Sequence, residues 1–352
     1  MPLPLSVLDL APIGEHETVH DSLAASVTLA QRAERLGYRR VWYAEHHNMP
    51  VIASSATSVL IAHVAAHTTT IRLGAGGIML PNHAPLVIAE QFGMLATLHP
   101  GRIDLGLGRA PGTDQRTMQA MRRDARAADR FPDDVLELQG YLGDHTRVPG
   151  VEATPGKGTH VPLYILGSSL FGAQLAAAYG LPYSFASHFA PAALEEAVAI
   201  YRDRFQPSEQ LDAPWVIAGI NVIPADSADV AQDHRLAAER RRAHLLFGRG
   251  RPYDAAEADL LLDSPAGAQV REMMRHTAAG TADEVVADLE RFKDVAGADE
   301  LIVAPAAPDR AAALHGLELL ADAADLAPDA TDGGAAAAAG THRADEVVAP
   351  GR

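Results

Sequence analysis

Short runs of apolar residues, several of them alternating with polar ones, recur along residues 5–304, and between them the apolar spacing lengthens to the three-to-four-residue repeat of a helix. The short runs predict strands at Leu5 to Leu10, Arg39 to His46, Ile71 to Gly76, Arg102 to Leu107, Leu163 to Gly167, Tyr183 to Ser187, Trp215 to Ile223 and Glu300 to Ala304. Helical spacing predicts helices over Thr18 to Leu36, Ser54 to Ala66, Ala84 to Leu98, Pro132 to Leu142, Ser169 to Tyr179, Pro191 to Phe205 and Ala228 to Leu246. A further helix opens at Thr281, and Asp309 to Ala324 closes the series. Strand and helix alternate throughout, and eight strands is the number that closes a parallel barrel, so the expected fold is α/β, a single (β/α)8 TIM barrel. The barrel domain is expected over 1–327. From Pro328 the chain turns to Asp, Thr, Gly and an alanine run, so 328–352 is expected to be a low-complexity, disordered tail. Two long connections, 143–162 and 248–269, are expected insertions, in the range where connections often serve as lids or binding segments.

Composition narrows the function classes. The 352 residues are 48% hydrophobic and 21% charged, ordinary for a globular protein. A formal charge of −16, with no basic stripe interleaved with aromatics, argues against nucleic acid as a partner. No apolar stretch reaches membrane-spanning length and the N-terminus has no signal-like core, so no membrane association and a cytoplasmic location are expected. With no cysteine, thiolate catalysis and Cys-ligated metals are excluded, and redox chemistry would have to come from a bound cofactor.

Candidate chemistry gathers at strand ends. The segment Arg40 to His47 carries Glu45, His46 and His47 to the C-terminal end of a strand, where β/α barrels place their active sites. Adjacent strand residues face opposite ways, so at most two of the three converge, which counts against a metal site; structural and catalytic histidines both fit. Leu73 to Pro81 carries Gly74, Gly76 and Gly77, which suit either the close approach of a flat ligand or a bulge. The run Asp104 to Asp114 follows a strand and holds Gly106, Gly108 and Gly112, but the glycine spacing misses the dinucleotide fingerprint and no second strand with a terminal acid follows. Within it, Arg109 can grip a phosphate or pair with Glu45 or Asp104. At Gly167 to Gly172, Ser168 and Ser169 precede a helix, which fits an anion site or a plain serine cap.

Taken in order, Leu8 to Pro12, Ala44 to His47, Gly108 to Asp114, Gly167 to Gly172 and Ser187 to Pro191 resemble the bacterial-luciferase-like flavin monooxygenases, in the branch called luciferase family oxidoreductase group 1. The resemblance covers roughly residues 3 to 325 and implies a barrel holding FMN at its C-terminal mouth. It implies that His46 is the catalytic histidine, that Gly76-Gly77 is a cis peptide behind the flavin ring, and that Arg109, Ser168, Ser169 and Gly172 bind the flavin phosphate. Asp9, His47, His188 and Phe189 are candidates for the substrate side or for orienting His46. The implied reaction uses reduced FMN and O2, through a flavin C4a-hydroperoxide, to oxygenate a small organic substrate, with His46 handling the proton. Implied partners are a separate flavin reductase and a second copy of the chain in a homodimer; no metal is implied. F420-dependent hydride transfer, a non-catalytic flavin-binding barrel and a metal-dependent barrel hydrolase using His46 or His47 are the alternatives.

Overall fold

Alternation along the strands decides which side chains fill the interior of the molecule. The computed structural model describes residues 3–110, 112–123, 125–248 and 253–328; the expected tail lies almost wholly outside the described residues. Nine strands are described: β1 (Leu5–Asp9), β2 (Arg40–Tyr43), β3 (Arg72–Met79), β4 (Ile103–Gly108), β5 (Leu163–Gly167), β6 (Tyr183–Phe185), β7 (Val216–Pro224), β8 (Thr277–Gly280) and β9 (Glu300–Pro305). Pairing runs in sequence from β1 to β7, then from β7 to β9 and from β9 back to β1, every pair parallel. Eight strands therefore close a (β/α)8 barrel, as the pattern predicts. The ninth, β8, pairs with Asn221–Pro224, the part of β7 that runs past β6.

Helices form where capping and spacing agree. The helix Val19–Leu36 opens with a capping box between Thr18 and Asp21 and stops at Gly37, whose φ of 86° is open to glycine at low cost. The helix Ala282–Ala296 repeats the design with Thr281, Glu284 and Gly297. Outward strand residues such as Val7, Val41, Leu73, Leu105 and Val303 join helix residues such as Phe92, Phe131 and Leu320 in the main core between sheet and helices.

Inside the barrel the residues differ in kind. Leu8, Trp42, Tyr164, Ile217 and Ile302 make a small apolar cluster. Below it, towards the N-terminal ends of the strands, the first residue of β2 places the guanidinium of Arg40 between two carboxylates. Its Nη1 lies 2.7 Å from Asp104 Oδ2 and its Nε 2.9 Å from Glu300 Oε1, and all three side chains are at most 2% exposed. Tyr164, Trp42, Arg72 and Ser6 complete the network: Arg40 donates to the Tyr164 hydroxyl at 2.8 Å, Trp42 Nε1 and Arg72 donate to Asp104, and Ser6 donates to Glu300 at 2.5 Å. Burial pushes the Asp104 carboxyl up, but the charges of Arg40 and Arg72 outweigh it and hold the group below its ordinary value.

The two long connections differ. Residues 143–162 lead into the N-terminal end of β5 and pack on the helix Pro85–Leu98, where a Cβ on Gly93 would lie 2.1 Å from Gly156 Cα. The region 248–269 instead contains the helix Ala255–Leu262 and the start of a second, Pro265–Met273. Their caps, Asp254 and Ser264, are visible in the sequence, but the surrounding glycines and prolines obscure them. The helix Gln115–Ala120 and the short strand β8, Thr-Ala-Ala-Gly, also carry too little apolar pattern to be predicted. Among the described residues no helix is long and apolar enough to cross a membrane.

Replacing Arg40 with leucine is expected to leave Asp104 and Glu300 buried without their shared countercharge and to destabilise the fold by about 3–5 kcal/mol. Urea unfolding followed by circular dichroism reads this directly, and a midpoint equal to wild type would contradict it.

Candidate active site

Past Tyr43 the chain leaves the sheet but stays ordered by its neighbours. His46 N–H donates to Ser54 O at 3.1 Å, and His47 N–H to Gly112 O at 3.3 Å. Thr113 Oγ1 donates to His47 O at 3.0 Å, and Asn48 Nδ2 to Asp114 at 3.3 Å. The loop after β4 thus fastens the loop after β2. Gly112 has a φ of 61°, and a Cβ there would lie 3.0 Å from Glu45 O, so close approach accounts for this glycine.

Glu45 and His47 turn to the same side, and a third residue joins them. Glu45, 1% exposed, accepts from His47 Nε2 at 2.8 Å and from His83 Nε2 at 2.9 Å. Met79 N–H also donates to it, at 3.2 Å. Burial pushes the Glu45 carboxyl up, but these hydrogen bonds outweigh it and hold the group below its ordinary range. The bond to Glu45 raises the His47 imidazole. The three donor atoms lie within 4.8 Å of one another and are of the kind that bind divalent cations; here Glu45 accepts hydrogen bonds from both rings. His83 went unnoticed in the sequence, although Pro81-Asn82-His83 directly follows a strand end.

His46 behaves differently. Its Nδ1 is buried without a hydrogen-bond partner, and burial pushes its pKa below the ordinary imidazole value. A recess of about 310 Å³ opens beside it, lined by His46, Asn48, Met49, Pro50, Ile52 and Ser55. His188, after β6, has the same character: its Nδ1 is buried without a partner, and burial first, then the charges of Arg242 and His46, push its pKa down to about 3. The ring lies over Gly219 of β7, where a Cβ would come 2.5 Å from Nδ1. Phe189 packs edge-on against His188 at 5.1 Å and is 39% exposed. Both imidazoles are therefore neutral near pH 7.

The glycines of β3 are explained by crowding. The Gly76-Gly77 peptide is cis. A Cβ on Gly76 would lie 2.9 Å from the Cβ of Trp42, and one on Gly77 2.6 Å from Gly106 O. The β3–β4 register shifts between Ala75 and Ile78, so the bulge considered for this stretch is present as well.

Arg109 is exposed and pairs with neither Glu45 nor Asp104, since the former is held by His47 and His83 and the latter by Arg40 and Arg72. Its guanidinium carbon instead stands 4.0 Å over the centre of the Phe171 ring. Phe171 is in the first turn of the helix Leu170–Tyr179, whose cap residue Ser169 makes no side-chain cap bond. Serine capping therefore does not account for this helix start, and its N–H groups remain open to an anion beside Arg109. Tyr183 fixes the turn by donating to Ser169 O at 3.1 Å, and a Cβ on Gly172 would lie 3.3 Å from Tyr183 Cε2. Ser168 is half-buried beside this turn. Asp9 faces elsewhere: it accepts from Ala11 N–H at 2.7 Å and from Ser26 Oγ at 2.6 Å, bracing the end of β1 against the first helix.

Comparison with known proteins shows the family to which the chain belongs. The family model of luciferase-like monooxygenases matches residues 4–300. A luciferase-like monooxygenase of Escherichia coli is 46% identical over 90% of this chain and 96% of its own. The N-acetyl-S-alkylcysteine monooxygenase of Bacillus subtilis is 33% identical over 85% of this chain and 91% of its own. Among solved structures, apo-MsnO8 superposes with a TM-score of 0.84 at 33% identity, covering 93% of this chain and 99% of that one.

The Glu45 cluster has a pH signature. Glu45, lowered in the fold, contributes stability that is present above its ordinary value of 4.5 and lost as pH falls through its folded pKa. His47, raised in the fold, contributes stability that is full below 6.5 and lost as pH rises through its folded pKa. Glu45→Gln is expected to cost about 2 kcal/mol, with its largest deficit between those two values. Urea titrations of both proteins from pH 4 to 9 test this; a deficit that does not vary with pH would rule out the ionic part.

Proposed function

Because the chain belongs to the luciferase-like monooxygenase family, we propose that it uses reduced FMN and O2 to oxygenate a small organic substrate at the C-terminal mouth of the barrel. The observation that carries this reading is Arg109, without a carboxylate partner, standing over the uncapped helix start at Ser169. A guanidinium beside open helical N–H groups suits a flavin phosphate, with Ser168, Ser169 and the close turn at Gly172 around it. The Gly76-Gly77 backbone of β3, partly exposed at Gly76, offers a side against which a flat ring system can rest.

When bound, reduced FMN supplies the reaction with O2. His46 accepts or returns the proton at its unpartnered Nδ1, and its lowered pKa keeps it neutral for that task. Glu45, His47 and His83 hold the backbone on either side of the mouth, so that His46 stays in place. His188 and Phe189 form the opposite wall, His188 with its Nδ1 buried and Phe189 offering an exposed apolar ring to a substrate. The reading includes a separate reductase that delivers reduced FMN. It also includes a dimer: Val59, Val87, Met94 and Leu98, each at least 44% exposed, lie on the adjacent helices Thr57–Ala65 and Pro85–Leu98 and suit a second copy of the same face. Sedimentation velocity is expected to find a dimer in wild type and a monomer when Val59 and Leu98 become aspartate; a monomeric wild type would remove this part.

Spectral titration with FMN and with F420 is expected to show binding of FMN, weakened at least tenfold by Arg109→Ala, since charge-assisted bonds contribute about 1.5–3 kcal/mol each. Preference for F420 would move the reading to hydride transfer. After anaerobic mixing with reduced FMN and admission of O2, wild type is expected to delay the return of oxidised flavin and to form product, whereas His46→Ala binds flavin and releases peroxide without product. Coupled product formation by His46→Ala would remove the proton role. With NADH and FMN alone no turnover is expected until a reductase is added.

A further inference from the structure

Three consecutive arginines near the end of the helix Ala228–Phe247 have different fates. Arg240 grips Asp259 through Nε at 2.6 Å and Nη2 at 2.8 Å. Arg241 donates to the carbonyls of Pro308 at 2.5 Å and Ala307 at 2.8 Å, just past the C-terminal end of β9. That contact brings this end of the helix to the mouth of the barrel. Arg242 makes no hydrogen bond and no ion pair with any described residue, although it is partly buried. Its charge, like that of His46, helps to lower the pKa of His188, after burial. The backbone of His188 is fixed there, because Asn221 Nδ2 donates to its carbonyl at 2.6 Å.

We infer that Arg242 anchors a carboxylate of the organic substrate and so makes this mouth selective for organic acids. A guanidinium withdrawn from water without a countercharge is costly, and a carboxylate matches its fork with two parallel hydrogen bonds. Among the described residues no carboxylate meets it: Arg242 forms no hydrogen bond or ion pair with any of them, and burial lowers its pKa. His188 cannot serve as the cation, since it is held neutral. Arg109, which has no carboxylate partner among the described residues, stands over Phe171 at the helix start proposed for the flavin phosphate. The substrate would then lie with its acid group towards Arg242 and His188 and its reacting end towards His46. This inference rests on the oxygenase reading of the mouth.

Equilibrium binding separates the two. Isothermal titration of the full chain, with and without FMN, compares hexanoate and benzoate with hexanamide and benzamide, using no turnover. In wild type the carboxylates are expected to bind at least about tenfold more tightly than the amides. Arg242→Gln is expected to abolish that preference while binding FMN as wild type does, which also shows that the variant folds. Arg242→Lys retains part of the preference, because the charge remains and the fork is lost. Equal binding of acids and amides, no binding of either acid to wild type, or a preference that survives in Arg242→Gln would overturn the inference. Failure of FMN to bind wild type would instead count against the flavin reading alone.

Discussion

The buried guanidinium of Arg40, set between Asp104 and Glu300, is the interaction on which the rest of the barrel depends. It joins β2, β4 and β9 across the interior, where a β/α barrel needs side chains to fill space that the backbone cannot close. Three charged groups in a dry interior are stable only as a set, since removing any one leaves another without its partner. Tyr164, Trp42, Ser6 and Arg72 consume most of the remaining hydrogen-bonding capacity. Trp42 belongs both to this layer and to the apolar layer above it. The carbon β of Trp42 also sets the space at Gly76, so the floor of the barrel and the shape of its mouth are mechanically connected.

At the mouth, the same economy of partners separates structural from reactive groups. Glu45 is fully occupied by His47, His83 and the Met79 amide, which makes it a clamp between the ends of β2 and β3. His46, one residue away and on the opposite face, has a buried nitrogen with no partner, as does His188. A buried polar atom without a partner carries a desolvation cost that packing elsewhere must offset, and such atoms are where a ligand gains most by binding. Arg109 and Arg242 extend the pattern in charge: each is a guanidinium to which no described residue offers a carboxylate, and they stand at different parts of the mouth. The arrangement suits two anionic groups of separate origin, with a proton-accepting imidazole between the regions they define.

Much of this was legible in the sequence, because the information is local. The eight barrel strands follow from short apolar runs, and the principal helices from apolar spacing and caps such as Thr18 with Asp21 or Thr281 with Glu284. That at most two of Glu45, His46 and His47 share a face follows from strand alternation. Short elements were not legible: β8 is four small residues, held by pairing to an overhang of β7 that no local pattern announces. The helix Pro265–Met273 owes its place to the cluster that Val270 shares with Ile223 and Ala238, residues distant in sequence.

Which partner each charged group finds was settled only by the tertiary structure. From the sequence, Arg109 had Glu45 and Asp104 as rival partners to a phosphate; the fold gives those carboxylates to His47, His83, Arg40 and Arg72 and leaves Arg109 over Phe171. Likewise Arg240, Arg241 and Arg242 are equivalent as letters, and only the packing of their helix against β7 and β8 makes one a salt bridge, one a loop brace and one unpaired. Propensity and alternation act over a few neighbouring residues, so the sequence alone determines the strands, the main helices and the faces that side chains take. Pairing of charges acts over ångströms in space between residues far apart in the chain, 260 positions for Arg40 and Glu300, and only the closed barrel brings those groups within reach.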